Sequence, residues 1–187
     1  MDSQLQPTLW RTCRVLANRE RLEVLRVLVT QGEQCVSNLA RTCGMPVARA
    51  TQQLRAPQAR GLLRARRQSR WVFYRPEADP LVPQSAPLLA AVQRAFARGD
   101  DAKVLMQAFT ALTHERRIRI VGALRAEPLA IESLRTRTAI STPALWRHLR
   151  KLRRRGVVGQ DEDGRFRLKP LAPGLLRDLM AMARTGS

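Results

Sequence analysis

Apolar positions recur at three- and four-residue spacings in two stretches that lie over one another without a gap. LANRERLEVLRVL (Leu16 to Leu28) matches LTHERRIRIVGAL (Leu112 to Leu124), and VSNLARTCGMPVARATQQLRAPQARGLL (Val36 to Leu63) matches IESLRTRTAISTPALWRHLRKLRRRGVV (Ile131 to Val158). Both blocks share Leu-Arg at Leu54 and Leu149, a glycine at Gly61 and Gly156, and an aromatic after an arginine at Trp71 and Phe166. A register kept this long is the signature of internal duplication. It divides the chain into two copies of one small domain, residues 1–98 and 99–187.

The periodicity predicts the same elements in each copy. A first helix covers Thr8 to Ala17 and Asp101 to Thr113, and Asp100 and Asp101 suit its positive N-terminal end. A second helix, capped by Asn18 and His114, runs to about Thr30 and Arg125 with Leu22, Leu25, Leu28, Ile118, Val121 and Leu124 facing a core. After a tight turn come a short third helix, Val36 to Thr42 and Ile131 to Arg137, and then a fourth. In the second copy the fourth helix starts at Thr142-Pro143, where proline's fixed φ and missing N–H suit the first turn, and stops at Gly156. Its Leu145, Leu149 and Leu152 form a buried stripe. Arg147, His148, Arg150, Lys151, Arg153 and Arg154 occupy the other faces. In the first copy Pro57 replaces Leu152, which predicts an end or kink near Arg55, because proline inside a helix costs about 3 kcal/mol or more.

Two strands are expected after each glycine, Leu62 to Arg66 with Trp71 to Arg75 and Val157 to Gln160 with Arg165 to Lys169, the latter turning at Asp163-Gly164. The last helices, Pro87 to Ala97 and Gly174 to Ala183, are too apolar for a solvated helix and require another helix pair as cover. Ala97 to Asp101 is too short a linker for independent domains, and Glu77 to Pro87 is a proline-rich loop. The expected fold is mainly α with short β wings, two winged helix-turn-helix domains in tandem forming an intrachain pseudo-dimer.

Composition sharpens the choice of partner. The chain has 34 Lys+Arg against 15 Asp+Glu, a formal net charge of +19, and a pI near 11.7, which points to a polyanion. Nearly all of this charge is arginine, whose planar fork suits phosphates and guanine edges. Arg147, His148, Arg150, Lys151, Thr142 and Trp146 are therefore candidate DNA contacts on the second recognition helix, with Trp146 either meeting a base or packing on the wing. Arg49, Thr51, Gln52, Gln53 and Arg55 are the candidates on the first. Arg64, Arg66, Arg67 and Arg70 suit the first wing to the phosphate backbone, whereas Asp161, Glu162 and Asp163 make the second wing repel it. Trp10 and Trp71 read as core or interface residues. No run approaches the roughly 18 apolar residues that cross a bilayer, and MDSQLQPTLW lacks a signal peptide's pattern, so a cytoplasmic protein without membrane contact is expected. Two distant histidines, no glycine-rich phosphate loop and no nucleophile motif argue against an enzyme.

Through LANRERLEVLRVL, EQCVSNLA, the fourth-helix segment and RWVFYR, the first copy resembles the ArsR/SmtB family of winged helix-turn-helix repressors. The second resembles it through LTHERRIRIVGAL and STPALWRHLRKLRRRGVV. The resemblance implies a sequence-specific DNA-binding regulator, a repressor of double-stranded DNA targets, and a family dimer fused into one chain that leaves room for further homodimerisation. The rival is a tandem winged-helix module for RNA or for a chromosome-associated complex. The family's Cys-Val-Cys metal site is here Cys35, Val36, Ser37, with Ala130, Ile131 and Glu132 in the second copy and Asp178 alone in the last helix, so no metal or other cofactor is expected. Cys13 and Cys43 remain open as partners of Cys35, and His114 is read as a cap.

Overall fold

Where the sequence places a cap followed by apolar periodicity, a helix forms. The computed structural model describes residues 8–183. Its first half orders α1 (Leu9–Leu16), α2 (Arg19–Gln31), β1 (Gln34–Cys35), α3 (Val36–Thr42), α4 (Val47–Gln58), β2 (Arg64–Gln68), β3 (Trp71–Arg75) and α5 (Ser85–Ala97). Its second half orders α6 (Ala102–Ala111), α7 (Glu115–Ala123), α8 (Ile131–Thr138), α9 (Thr142–Arg154), β4 (Val158–Gln160), β5 (Phe166–Leu168) and α10 (Leu175–Met182). The fold is thus mainly helical with two small antiparallel sheets, consistent with a winged helix-turn-helix.

The caps at Asn18 and His114 act as the sequence predicts, and Asp101, expected inside the helix, caps it as well. Asn18 Oδ1 accepts from the Arg21 amide at 3.0 Å, His114 Nδ1 from the Arg116 amide at 3.1 Å, and Asp101 Oδ1 from the Val104 amide at 2.8 Å. Each satisfies a helix-terminal N–H that would otherwise lack a partner. Arg21 and Arg117, absent from the sequence reading, tie their helices back to the preceding one: Arg21 donates to the Val15 carbonyl, and buried Arg117 donates to the Thr110 carbonyl and the Thr113 hydroxyl.

Several boundaries differ from expectation for local reasons. Pro57 neither ends α4 near Arg55 nor disrupts it; the helix runs to Gln58. Pro57 sits in the last turn, where few intrahelical bonds remain, and the Ala59 amide resumes bonding to Arg55 O at 2.9 Å. Its buried ring fills the place that Leu152 fills in α9. Leu62 and Leu63 are buried connection rather than strand, so β2 starts at Arg64. Ser85 to Pro87 belong to α5, not to the loop before it. In α7 Ile120 and Arg117 are buried while Ile118 is half-buried. The strand β1 was not foreseen; it pairs antiparallel with β3, Gln34 against Tyr74 and Cys35 against Phe73, and β3 pairs in turn with β2. In the second half an isolated bridge between Leu129 and Phe166 lies beside the β4–β5 pair.

The apolar last helices find their cover in each other. α5 packs on α10, and α6 packs on α1, α2 and α10. Leu88, Leu89, Val92 and Phe96 of α5, Leu105 and Phe109 of α6, and Leu175 and Leu179 of α10 are buried in one continuous cluster. Arg94 of α5 donates to Asp178 of α10 at 2.9 Å on its edge. Each fully buried leucine or phenylalanine contributes about 1.5–3 kcal/mol relative to exposure, so these contacts outweigh the exposed ion pair.

Two glycines with nearly equal backbone angles separate conformational from steric demands. Gly61 (φ +70°) and Gly156 (φ +71°) end α4 and α9 in left-handed geometry. A Cβ at Gly156 meets open space, whereas one at Gly61 would lie 2.7 Å from Val82 Cβ. Gly156→Ala should cost about 1–2 kcal/mol for the left-handed conformation alone. Gly61→Ala should cost about 1–3 kcal/mol more, from overpacking against Val82. Denaturant unfolding checks both; equal losses would contradict the close packing of Val82 on Gly61.

Candidate nucleic-acid interface

The basic face of α9 exists because its opposite face is locked down. Leu145, Leu149 and Leu152 are buried beside Leu134 of α8 and Ile140 of the intervening turn. That turn is made by Ala139 in left-handed geometry (φ +51°). Trp146, Arg147, Arg150, Lys151, Arg153 and Arg154 are consequently exposed, and Thr142 is exposed at the helix start. Trp146, 49% exposed, meets Phe166 of β5 edge-on at 5.6 Å, so it both packs on the wing and faces outward. Trp146, Arg147, Arg150, Arg153, Arg154 and Phe166 line an open cleft of about 620 Å³ between helix and wing. No carboxylate among the described residues pairs with those four arginines. Unpaired guanidiniums around an aromatic floor present donors for phosphate and base edges.

His148 departs from its expected place. It is buried (9% exposed), with its ring 4.6 Å from that of His114, which stacks at 6.5 Å on Trp10 of α1. The spacing explains this: His148 lies one turn from Leu145 and Leu152, on the core side of α9. Burial, together with His114 and Arg117, pushes its pKa down to about 4, keeping the imidazole neutral at physiological pH. It is a packing residue of the α7–α9 contact rather than a group on the outer surface.

The corresponding surface of the first half is basic but internally paired. Arg49 donates through Nε and Nη2 to the two oxygens of Glu20, each at 2.8 Å. Gln53, expected to be exposed, is buried and donates to Glu20 at 3.2 Å. The Arg49 hydrogen bond holds the Glu20 carboxyl below the usual range, so the pair stays ionised. Thr51 is half-buried and its hydroxyl donates to the Val47 carbonyl at 2.8 Å. Gln52 and Arg55 remain exposed and line a second open cleft with Thr51 and Arg21.

The wings differ similarly. Arg66 is held by Glu33 at 2.6–3.0 Å and lies over the Phe73 ring at 4.6 Å. Arg64 lies 3.8 Å from both Glu77 and Asp79. Arg67 donates to the Ser69 carbonyl at 3.1 Å, and Arg70 lies over Trp71, which is 42% exposed and therefore not a core residue. In the second wing Asp161 is spent on the turn, accepting from the Arg165 amide at 2.8 Å, while Glu162 and Asp163 are exposed.

Sequence reasoning missed the acidic partners Glu20 and Glu33. For Glu20 the signal was present in the aligned register, where it stands opposite Arg116; Glu33 falls between the two matched blocks. The cysteines are all free: Cys13 is buried, which pushes its thiol pKa strongly up, and Cys35 and Cys43 are half-buried. Among the described residues no group of three or more His, Cys, Asp or Glu is placed to hold a metal ion. Nor is any described helix long and apolar enough to cross a membrane.

One comparison with known proteins falls on this surface. A family model described as bacterial regulatory protein, arsR family, matches residues 114–159, from the His114 cap through α9 into the wing. No curated protein matches. Among solved structures the chain is similar to a fragment, 1–100, of a possible transcriptional regulatory protein from Mycobacterium bovis. The identity is 36%, covering 46% of this chain and 88% of that one, with a TM-score of 0.37. Residues 114–159 are an ArsR-family helix-turn-helix domain, the kind of domain with which transcriptional regulators hold DNA.

Proposed function

We propose that the chain is a sequence-specific DNA-binding transcriptional regulator, a cytoplasmic repressor rather than an enzyme. It is built from two winged helix-turn-helix domains, residues 1–98 and 99–187, paired within one chain. The observation that carries this reading is the unpaired arginine face of α9, held outward by its buried leucine stripe and flanked by a wing. Recognition helices of this class enter the major groove, where arginine reads guanine, while the remaining guanidiniums neutralise phosphates. Arg147, Arg150, Lys151, Thr142 and Trp146 are the contacts of the second half. Gln52, Arg55, Arg67 and Arg70 are the accessible contacts of the first, with Arg49, Arg64 and Arg66 engaged by carboxylates and Thr51 behind them.

Tandem duplication is supported by matched details beyond sequence. The Leu62 amide bonds to Pro57 O at 3.1 Å and the Val157 amide to Leu152 O at 3.0 Å, the same helix-ending bond at equivalent positions. Asn18 and His114 cap equivalent helices, and Arg21 and Arg117 make equivalent ties to the preceding helix. The packing of α5 on α10 and of α1 on α6 is the pairing that a fused dimer requires, and it leaves two unlike recognition helices on one molecule.

Selection of bound fragments from the source genome should return a shared double-stranded DNA sequence; enrichment of RNA, or none, would overturn the reading. On that site Arg147→Ala should weaken binding by about 1–3 kcal/mol and relax base preference in one half only, as competition against base-substituted sites would show. The wing assignment has its own readout. Each neutralised phosphate contributes about 0.9 to the slope of log affinity against log salt. Arg67→Ala should lower the slope by about that amount, Arg66→Ala by less because Glu33 already holds it, and Asp161→Ala should not weaken binding; equal losses from all three would contradict the assignment.

A further inference from the structure

The two halves carry the same kind of helix but treat its charge oppositely. Glu20 sits in the first turn of α2 and receives both Arg49 and Gln53, side chains of α4. The Nε and Nη2 donors of Arg49 that it occupies are the fork that would otherwise grip a phosphate or the O6 and N7 of guanine. On the wing Glu33 does the same to Arg66. At the position matching Glu20 the second half carries Arg116, and His148 at the position of Gln53 meets His114 instead of an acid. On α4 Arg49 is therefore held by a carboxylate, whereas the exposed arginines of α9 are not.

We propose that Glu20 is an internal decoy for DNA: its carboxylate stands where a phosphate or base edge would, holding the first recognition helix in a low-affinity state until a duplex displaces it. The inference rests on the DNA-binding reading above and specifies how the two halves divide the work. The second half engages first, and Arg49 joins only on a site good enough to compete with Glu20. The pair is suited to displacement rather than to locking. The side chains of Arg49 and Glu20 are 55% and 41% exposed, and exposed pairs are weak even when well formed. The helix dipole favours a carboxylate in the first turn of α2, so Glu20 has a stable place to remain after Arg49 leaves.

A purely structural tie between α2 and α4 predicts that loss of Glu20 lowers stability and nothing else; a decoy predicts tighter DNA binding. The experiment compares Glu20→Gln with the unaltered chain on its selected duplex by titration across salt concentrations, alongside thermal unfolding. Affinity should rise about two- to fivefold, the scale of one exposed ion pair. The salt slope should steepen by about 0.9 as Arg49 gains a phosphate. The gain should vanish in Glu20→Gln combined with Arg49→Ala. Glu23→Gln, which removes the same charge from the same helix but from a pair with Arg26, should leave affinity unchanged. Unchanged affinity in Glu20→Gln, or equal tightening in Glu23→Gln, would overturn the decoy. An unaltered chain that prefers no duplex would instead overturn the DNA-binding reading beneath it.

Discussion

The structure depends on a layer of apolar helices that cannot face water. α5 and α10 each bury leucines, and α6 contributes Leu105 and the fully buried Phe109 against α1, α2 and α10. In the proposed two-domain reading, each half of about 90 residues would bury too little surface to be more than marginally stable alone. Shared burial at this layer removes that weakness and fixes α4 and α9 relative to each other. A connection running directly from Ala97 to Ala102, capped by Asp101, leaves little slack for any other arrangement. In the proposed function this rigidity converts two small DNA-reading units into one composite reader.

Electrostatics then differentiates what packing has made similar. The formal charge of +19 is spread over both halves, but its availability is not. Glu20, Glu33, Glu77 and Asp79 engage Arg49, Arg66, Arg64 and Arg75 around α4 and the β2–β3 pair. Around α9 the guanidiniums stand free of such partners, and the His148 imidazole is buried and kept neutral. Net charge alone would have credited both halves equally, whereas the positions of a few carboxylates decide which arginines are offered to a polyanion.

Much of the fold was legible because its signals are local: caps at Asn18, Asp101 and His114, the Thr142-Pro143 helix start, and the Asp163-Gly164 turn all lie within a few residues of the groups they serve. What escaped is nonlocal. The strand Gln34–Cys35 is too short to show periodicity and exists only because β3 offers it a partner. Pro57 was misjudged because its cost depends on how many helical bonds follow it, and α4 ends one residue later. Gln53 and His148 are polar residues on the edge of a buried stripe, and each meets a partner at the start of an earlier helix, Glu20 in the first turn of α2 or His114, the cap of α7. Linear pattern assigned both to the DNA face; three-dimensional pairing gave both to the interior.

The central claim is that one chain presents two unlike recognition helices to neighbouring turns of one duplex. Light scattering of the protein–DNA complex, combined with a footprint on the selected site, measures it directly. The account predicts one chain per duplex and an asymmetric, non-palindromic protected site, with two contacted segments about 10 base pairs apart centre to centre. Two chains on a palindromic site would contradict it, because each chain would then serve as one subunit of a larger symmetric dimer.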